Sequence, residues 1–183
     1  MNPRNCRMDT EWQLLESLAD ANRSIFTQMT RLNDEFRFIM QESPAWVGKK
    51  SDCRTETKHA LRYVYPRYYP SLPLEGYFVR PILHINVDPL TGFVCLWKNY
   101  RPAQTIVDAI LITRAIMAGK AANWDPAHRM QQDAVMNPLP MPSLILSADC
   151  HPLLPQRSSR RRLVSEIPDH TSQERNFAFP DIE

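Results

Sequence analysis

The segment from Tyr69 to Ile106 constrains the fold of this chain more than any other. In it, a turn that contains Gly92 leads into an apolar run that carries Cys95, nine residues after Asn86. A thiol at the edge of a strand, with a side-chain amide nearby, can carry an acyl group as a thioester. The segment therefore predicts a strand that presents a nucleophilic cysteine, and the chemistry of acyl transfer between carriers.

Length and composition limit the class of protein. With 183 residues the chain can bury one sizeable core, so we expect one domain with tails. A formal net charge of +2 is too small to indicate a nucleic-acid or membrane-surface protein. The four glycines build no phosphate-binding GxxxxGK or GxGxxG motif, and no apolar run is long enough to span a membrane. Other proteins are the expected partners.

The four cysteines are far apart and form no Cys-x-x-Cys pair, which argues against a zinc site or a redox dithiol. The start of the chain, MNPRNCRMDTEW, lacks the apolar core of a secretory signal peptide. Reduced thiols and the absence of a signal sequence predict a cytoplasmic protein.

The stretch from Asp9 to about Gln41 contains neither proline nor glycine and predicts one long amphipathic helix. Its apolar residues recur at spacings of three and four: Leu15, Leu18, Ile25, Met29, Leu32, Phe36 and Ile39. Ser43-Pro44 is expected to end the helix, because the residue before a proline avoids the helical region. The same positions fit a heptad repeat with Asn22 at an a-type position. A homodimer through this helix is therefore an alternative to a helix that packs on its own domain.

The middle of the chain predicts short strands followed by helices. Residues 45–57 are expected to form a polar loop, and strands are expected over His59–Tyr65, Gly76–Val87 and Phe93–Trp97. An apolar stripe over Thr105–Lys120 predicts a helix packed on the sheet. Asp125-Pro126 can open a further helix through Val135, with Asp125 as its N-cap.

Residues 137–183 differ in character from the rest of the chain. They contain seven of the sixteen prolines and little periodicity, and they include Arg157, Arg160, Arg161 and Arg162. Most of this segment is expected to be irregular or disordered in isolation. The arginines indicate a solvated tail or, as an alternative, a surface for an acidic partner. The terminal FAFPDIE resembles a docking peptide.

The order of these motifs resembles the catalytic core of the ubiquitin-conjugating enzymes. The pieces that carry the resemblance are Tyr69-Pro70 with Pro73, His84-Ile85-Asn86, Gly92-Phe93-Val94-Cys95-Leu96 and Pro102-Ala103-Gln104-Thr105-Ile106. They look like that family's YP-x-x-PP, HPN, active-cysteine strand and P-x-x-T-I motifs, in the same order. Ile85 stands where the family has the proline of HPN, and two connecting stretches are shorter than usual.

The resemblance implies an α+β fold with an antiparallel sheet, a long N-terminal helix and C-terminal helices. It divides the chain into an N-terminal helical extension (1–27), a catalytic core (28–136) and a tail (137–183). It also implies an enzyme without a cofactor, which receives a ubiquitin-like protein from an E1-like activating enzyme and passes it to an amine. The trimmed loops look like those of compact relatives in bacterial antiphage operons, where a cyclic-nucleotide synthase is an alternative partner.

The resemblance places four residues in the catalytic site. Cys95 is expected to carry the thioester, although a buried inert cysteine would have the same local sequence. Asn86 is expected to donate to the oxyanion or to hold the adjacent backbone. His84 is expected to have a structural role rather than to serve as the base of a Cys-His pair, and Asp125 either orients the acceptor amine or only caps its helix. A noncatalytic module that binds a ubiquitin-like partner, and a Cys-His hydrolase, are alternative functions.

Overall fold

The structure is a computed structural model, and it describes residues 3–132, 134 and 137–147. The helices are α1 (Pro3–Ala21) and α2 (Ile106–Met117), with a short 3-10 helix at Pro126–His128. The strands are β1 (Phe26–Leu32), β2 (Glu35–Met40), β3 (Ala45–Lys49), β4 (Asp52–Glu56), β5 (His59–Val64), β6 (Glu75–Phe78) and β7 (Phe93–Val94). Within these residues, no helix has the length and apolar content needed to cross a membrane.

Five strands form one antiparallel sheet in the order β1-β2-β5-β6-β7, while β3 and β4 pair as a separate hairpin. Phe36 and Phe38 of β2 pair with Tyr63 and Leu61 of β5, and all four side chains are buried. Apolar residues of α1 and α2 join them in one core cluster, because each helix presents one apolar stripe to the sheet. The predicted α+β fold with an antiparallel sheet is confirmed.

The predicted helix over Asp9–Gln41 is wrong in its extent. Helix α1 ends at Ala21, and the residues that follow form the β1–β2 hairpin around the two-residue turn Asn33-Asp34. Alternate residues of β2 are buried, as expected for a strand with one face on the core. The spacings of three in the predicted stripe included Leu32 and Ile39, but Leu32 is exposed and Ile39 is only partly buried. The side chains of β2 on the core are the alternate residues Phe36, Phe38 and Met40, which is the period of a strand.

The heptad proposed for a homodimer is interrupted by the end of α1. Asn22 lies just after the helix, where its Nδ2 donates to the carbonyl oxygens of Leu18 at 2.7 Å and Ile145 at 2.9 Å. Leu15 and Leu18 are fully buried in the core of their own chain. The alternative prediction, a helix that packs on its own domain, describes α1.

Four other predicted elements differ in extent or type. Residues 45–57 form the β3–β4 hairpin instead of a loop, and the strand predicted over Gly76–Val87 is limited to β6. The helix predicted from Asp125 is only a 3-10 turn, because the N–H group of Met130 donates to Ile85 O at 2.7 Å instead of continuing a helix. The strand expected over Phe93–Trp97 is limited to β7, whereas β5 and α2 lie within the predicted bounds.

Residues 137–147 form an irregular segment that packs on the body of the protein. Leu139 N–H donates to Ala118 O at 3.0 Å, and Ile145 N–H donates to Asn22 Oδ1 at 2.8 Å. The guanidinium of the buried Arg114 donates to Pro142 O and, at 2.6 Å, to Ser43 Oγ. The arginine cluster and the FAFPDIE segment lie outside the described residues. The boundaries at 27 and 136 stay predictions, although residues from all three parts pack on one core.

A buried carboxylate connects α1 to the start of α2. Glu11 is fully buried, and its Oε1 accepts from Arg7 Nε at 2.7 Å and from the Tyr69 hydroxyl at 2.6 Å. Its Oε2 accepts from the backbone N–H of Ile106, the first residue of α2, at 2.6 Å. A carboxylate at the N-terminus of a helix satisfies a backbone donor and interacts favourably with the helix dipole. Glu11 thereby fixes the position of α2 relative to α1.

A tight turn over residues 88–92 sets the position of β7. Asp88 Oδ1 accepts from the backbone N–H groups of Leu90 at 2.7 Å and Thr91 at 2.9 Å. Gly92 has a φ of +74°, and a Cβ at this position would lie 2.0 Å from Phe78 O. The turn therefore requires glycine, and it aligns β7 against β6 just before Cys95.

Candidate active site at Cys95

Cys95 directly follows β7 and lies on a loop beside α2. Its backbone N–H donates to Asn86 O at 2.9 Å, so the two residues lie on adjacent stretches of chain. The side chain is partly exposed, and burial raises the pKa of the thiol above its ordinary value. At neutral pH the group is therefore a protonated thiol that solvent can reach.

The side chain of Asn86 is buried and bonded at every polar atom. Its Oδ1 accepts from the backbone N–H of Asn123 at 2.7 Å. Its Nδ2 donates to Asn123 O at 2.9 Å and to His128 O at 3.1 Å. Both amide protons are thus used in bonds to the segment 123–128. Donation to an oxyanion would require one of these two bonds to break.

His84 is placed for a structural role. Its Nδ1 accepts from the backbone N–H of Asn86 at 3.2 Å, and its other hydrogen bond is to the backbone of Ala121. Burial lowers the pKa of His84 from 6.5 to about 4, so the ring is neutral at physiological pH. Because both of its bonds are to main chain, the ring holds the Asn86 segment against the start of the 121–125 loop.

A different histidine contacts the cysteine. His128 Nδ1 lies 3.2 Å from Cys95 Sγ, within hydrogen-bond reach for a sulfur donor. His128 ends the 3-10 helix, and Asp125 caps that helix through a bond from Ala127 N–H to its Oδ1 at 3.0 Å. The sequence had indicated only His84 as a possible partner for Cys95. The sequence did offer one indication of His128: it lies three residues after Asp125-Pro126 begins a turn, the length of one turn of a 3-10 helix.

Cys95 opens on a cleft of about 390 Å³ between its own loop, α2 and the segment 121–125. The apolar lining includes Leu96, Ile112 and Ile116, and the half-exposed Trp124 lies at the same cleft. Lys98 and the exposed Asp125 are the charged side chains of the lining. The cleft can therefore accept an extended chain with small or apolar side chains next to the thiol.

Asn123 lines this cleft, and the Nδ2 of its side-chain amide makes no hydrogen bond to the described residues. Its Oδ1 accepts from Asp125 N–H at 3.1 Å, which fixes the orientation of the side-chain amide. Its Nδ2 is buried and has no hydrogen-bond partner within the part of the chain that the structure describes. A buried donor left without a partner costs roughly 1 to 3 kcal/mol, so such groups are uncommon in folded proteins.

Comparison with solved structures identifies the fold. The H. polymorpha ubiquitin conjugating enzyme Pex4p, solved in complex with the soluble domain of Pex22p, aligns with 72% of this chain and 85% of its own. The TM-score is 0.52 and the sequence identity is 16%. The chain has the fold of the ubiquitin-conjugating enzymes.

Further similar structures are also ubiquitin-conjugating enzymes. One is from Toxoplasma gondii, with 28% identity, coverage of 59% of this chain and 74% of that chain, and a TM-score of 0.41. Another is the human ubiquitin-conjugating enzyme E2 G1, with 18% identity, coverage of 59% and 93%, and a TM-score of 0.43. No protein-family model matches the sequence, and no curated protein matches it.

Within this ubiquitin-conjugating-enzyme fold, the predicted site residues lie in one region, but not all of them line the cleft. Cys95, Asn86 and Asp125 line the same cleft, whereas His84 is bonded to main chain beneath it. Ile85, which stands where a proline was expected, is buried and accepts from the backbone N–H of Met130. The geometry therefore adds His128 to the predicted residues and gives His84 a supporting position.

Proposed function

We propose that this chain is a conjugating enzyme in which Cys95 accepts the C-terminal acyl group of a ubiquitin-like protein as a thioester and transfers it to an amine. The observation that carries the proposal is the position of Cys95. Its partly exposed thiol opens on a cleft of about 390 Å³, and its backbone is bonded to the Asn86 that holds the opposite wall. The fold of the ubiquitin-conjugating enzymes supports this function.

Loading of Cys95 is an exchange of one thioester for another. The sulfur attacks the carbonyl carbon of the incoming thioester, a new C–S bond forms, the old C–S bond breaks, and the thiol proton passes to the departing thiolate. Such an exchange is close to balanced in energy and requires only a small ionised fraction of the attacking thiol. The raised pKa of Cys95 is compatible with this step. The apolar lining of the cleft suits the extended C-terminal tail of the carrier.

The partners follow from the same proposal. The ATP-dependent activation belongs to a separate E1-like activating enzyme, so the chain itself needs no cofactor. The setting that we propose is the cytoplasm of a bacterium, in an antiphage operon. There the acyl donor is either a ubiquitin-like modifier or the C-terminus of a cyclic-nucleotide synthase.

Intact mass under non-reducing conditions tests the proposal. Wild type and Cys95→Ser are recovered from cells that express the native neighbouring genes, with Cys53→Ser as the matched control on a partly exposed thiol of β4. Wild type and the control should carry an adduct that a thiol reagent removes. Cys95→Ser should carry none, or an ester that resists the reagent. If no protein carries an adduct while the neighbours are active, a noncatalytic module that binds its partner becomes the better account.

The contact between Cys95 and His128 favours a second candidate, a Cys-His hydrolase. A histidine next to a cysteine can activate water against an acyl intermediate as well as an amine. The two candidate functions differ in the group that releases the acyl chain from Cys95: water in the hydrolase, and an amine in the conjugating enzyme. Steady turnover of a small thioester in buffer without any amine, abolished in Cys95→Ser, would favour the hydrolase. A thioester that persists until an amine is added would favour the conjugating enzyme.

A further inference from the structure

His128 lies at Cys95 although no predicted motif required it there. The distance between His128 Nδ1 and Cys95 Sγ is 3.2 Å, which is the reach of one hydrogen bond to sulfur. In a thioester on Cys95, the carbonyl carbon is bonded directly to Sγ. The imidazole therefore stands next to the atom that an incoming amine must attack.

The main chain of His128 is held by the residue that also holds Cys95. Asn86 Nδ2 donates to His128 O at 3.1 Å, while Asn86 O accepts from Cys95 N–H at 2.9 Å. The cap at Asp125 fixes the 3-10 turn from its other end. The main chains of Cys95 and His128 are thus both bonded to one buried asparagine.

Transfer to an amine needs a proton acceptor that loading does not need. A lysine amine with a pKa of about 10.4 is mostly protonated near neutral pH, and its nitrogen must lose protons before and after it attacks. Among the described residues, His128 is the one whose side chain has a hydrogen-bond contact with Cys95 Sγ. Asp125 Oδ1 accepts the capping N–H of Ala127, and His84 Nδ1 accepts the N–H of Asn86.

We propose that His128 is the base of the transfer step. It takes a proton from the acceptor amine as the amine attacks the thioester on Cys95, and this role rests on the proposed function. In the balanced step, the amine nitrogen forms a C–N bond to the carbonyl carbon and the C–S bond breaks, so Cys95 leaves as a thiolate. The amine proton passes to His128 Nδ1 and from there to the thiolate. An amide and the free thiol result, and no oxidant or further reactant is consumed.

The test separates discharge to an amine from discharge to a thiol. The Cys95 adduct is purified from cells that express the neighbouring genes, for wild type, His128→Gln, His128→Ala and the remote control Arg54→Gln on β4. Each adduct is mixed with free lysine or with 2-mercaptoethanol, and its loss is followed by intact mass. His128→Gln should load as wild type does and exchange with the thiol at the wild-type rate. Its discharge to lysine should be about a hundredfold slower or more.

Imidazole added to His128→Ala should restore part of the lysine discharge, which a merely structural role of His128 would not allow. Equal lysine rates in wild type and His128→Gln would overturn the role of His128 and leave the proposed function intact. An equal slowing toward lysine and thiol would also overturn it, because it would indicate a displaced Cys95. If the wild type never carries an adduct, the proposed function fails first and the base role fails with it.

Discussion

Asn86 binds both backbone polar groups of Asn123. Its Oδ1 accepts the N–H at 2.7 Å, and its Nδ2 donates to the carbonyl oxygen at 2.9 Å. A third bond runs from Nδ2 to His128 O, and all three cross more than thirty residues of sequence. One buried side chain thus joins the stretch before Cys95 to the segment that carries His128.

Asn86→Ala should destabilise the fold and release that segment. The change removes the partner of three part-buried backbone groups, at roughly 1 to 3 kcal/mol for each group that water does not reach. We expect the free energy of unfolding to fall by about 3 kcal/mol and the amide of Asn123 to exchange faster with solvent. Urea denaturation and hydrogen exchange measure the two effects. Asn5→Ala, at an exposed position of α1, is the matched control, and a loss no larger than that of the control would contradict the assignment.

Glu11→Gln should be among the more destabilising single changes in α1. All the recorded partners of the carboxylate are donors: Arg7 Nε, the Tyr69 hydroxyl and the N–H of Ile106. The variant places an NH₂ group against one of them and leaves the guanidinium without its charge partner. Breaking a buried ion pair from one side typically costs about 3 to 5 kcal/mol. Denaturant unfolding beside Glu16→Gln, an exposed change in the same helix, measures the difference, and similar midpoints would refute this account.

Two buried histidines should make the fold sensitive to acid. Burial lowers the pKa of His84 from 6.5 to about 4 and also lowers the pKa of His59. Between pH 6.5 and about 4, His84 is protonated in the unfolded chain but not in the folded chain. Stability is therefore fully present above pH 6.5 and is lost as the pH falls toward 4. A difference of one in pKa corresponds to about 1.4 kcal/mol, so His84 accounts for roughly 3 kcal/mol of this loss.

Unfolding free energies across that pH range test the origin of the effect. His84→Asn keeps a side-chain acceptor for Asn86 N–H but has no group that titrates. Its stability should fall less steeply with acid than that of the wild type, whatever its value at neutral pH. Parallel curves for the two proteins would show that other groups control the acid transition.

The alkylation rate of Cys95 should keep increasing at high pH. Burial raises the pKa of this thiol above the ordinary value of 9.0, and only the thiolate reacts with iodoacetamide. The rate should therefore still rise beyond pH 9 when it is followed by mass spectrometry of the Cys95 peptide. A rate that levels off near neutral pH would contradict the raised pKa of Cys95.

The motifs that predicted the fold were local ones. The turn at Gly92, the strand-favouring residues of β5 and the apolar stripe of α2 are each set by residues close together in sequence, so their patterns indicated the right elements. The β1–β2 hairpin was missed because the helical stripe included Leu32 and Ile39, whose side chains do not lie on the core face of the strands. The turn residues Asn33-Asp34 and the alternation of Phe36 with Phe38 were the indications that distinguish a hairpin from a helix.

The contact between Cys95 and His128 could not be read from sequence in the same way. The two residues are 33 positions apart, and their approach depends on bonds from Asn86 to a backbone that is 37 and 42 positions away. No periodicity encodes such bonds. The helix expected after Asp125 would also have turned the histidine to a different face.

The turn at Gly92 offers a way to inactivate the protein without removing any reactive group. A Cβ at this position would collide with Phe78 O, so even alanine must push β7 away from β6. Cys95 directly follows β7 and would move with it. The side chains of Cys95, Asn86 and His128 would all be unchanged. Gly92→Ala would thus show whether activity requires only that Cys95, Asn86 and His128 are present, or also that they keep their relative positions.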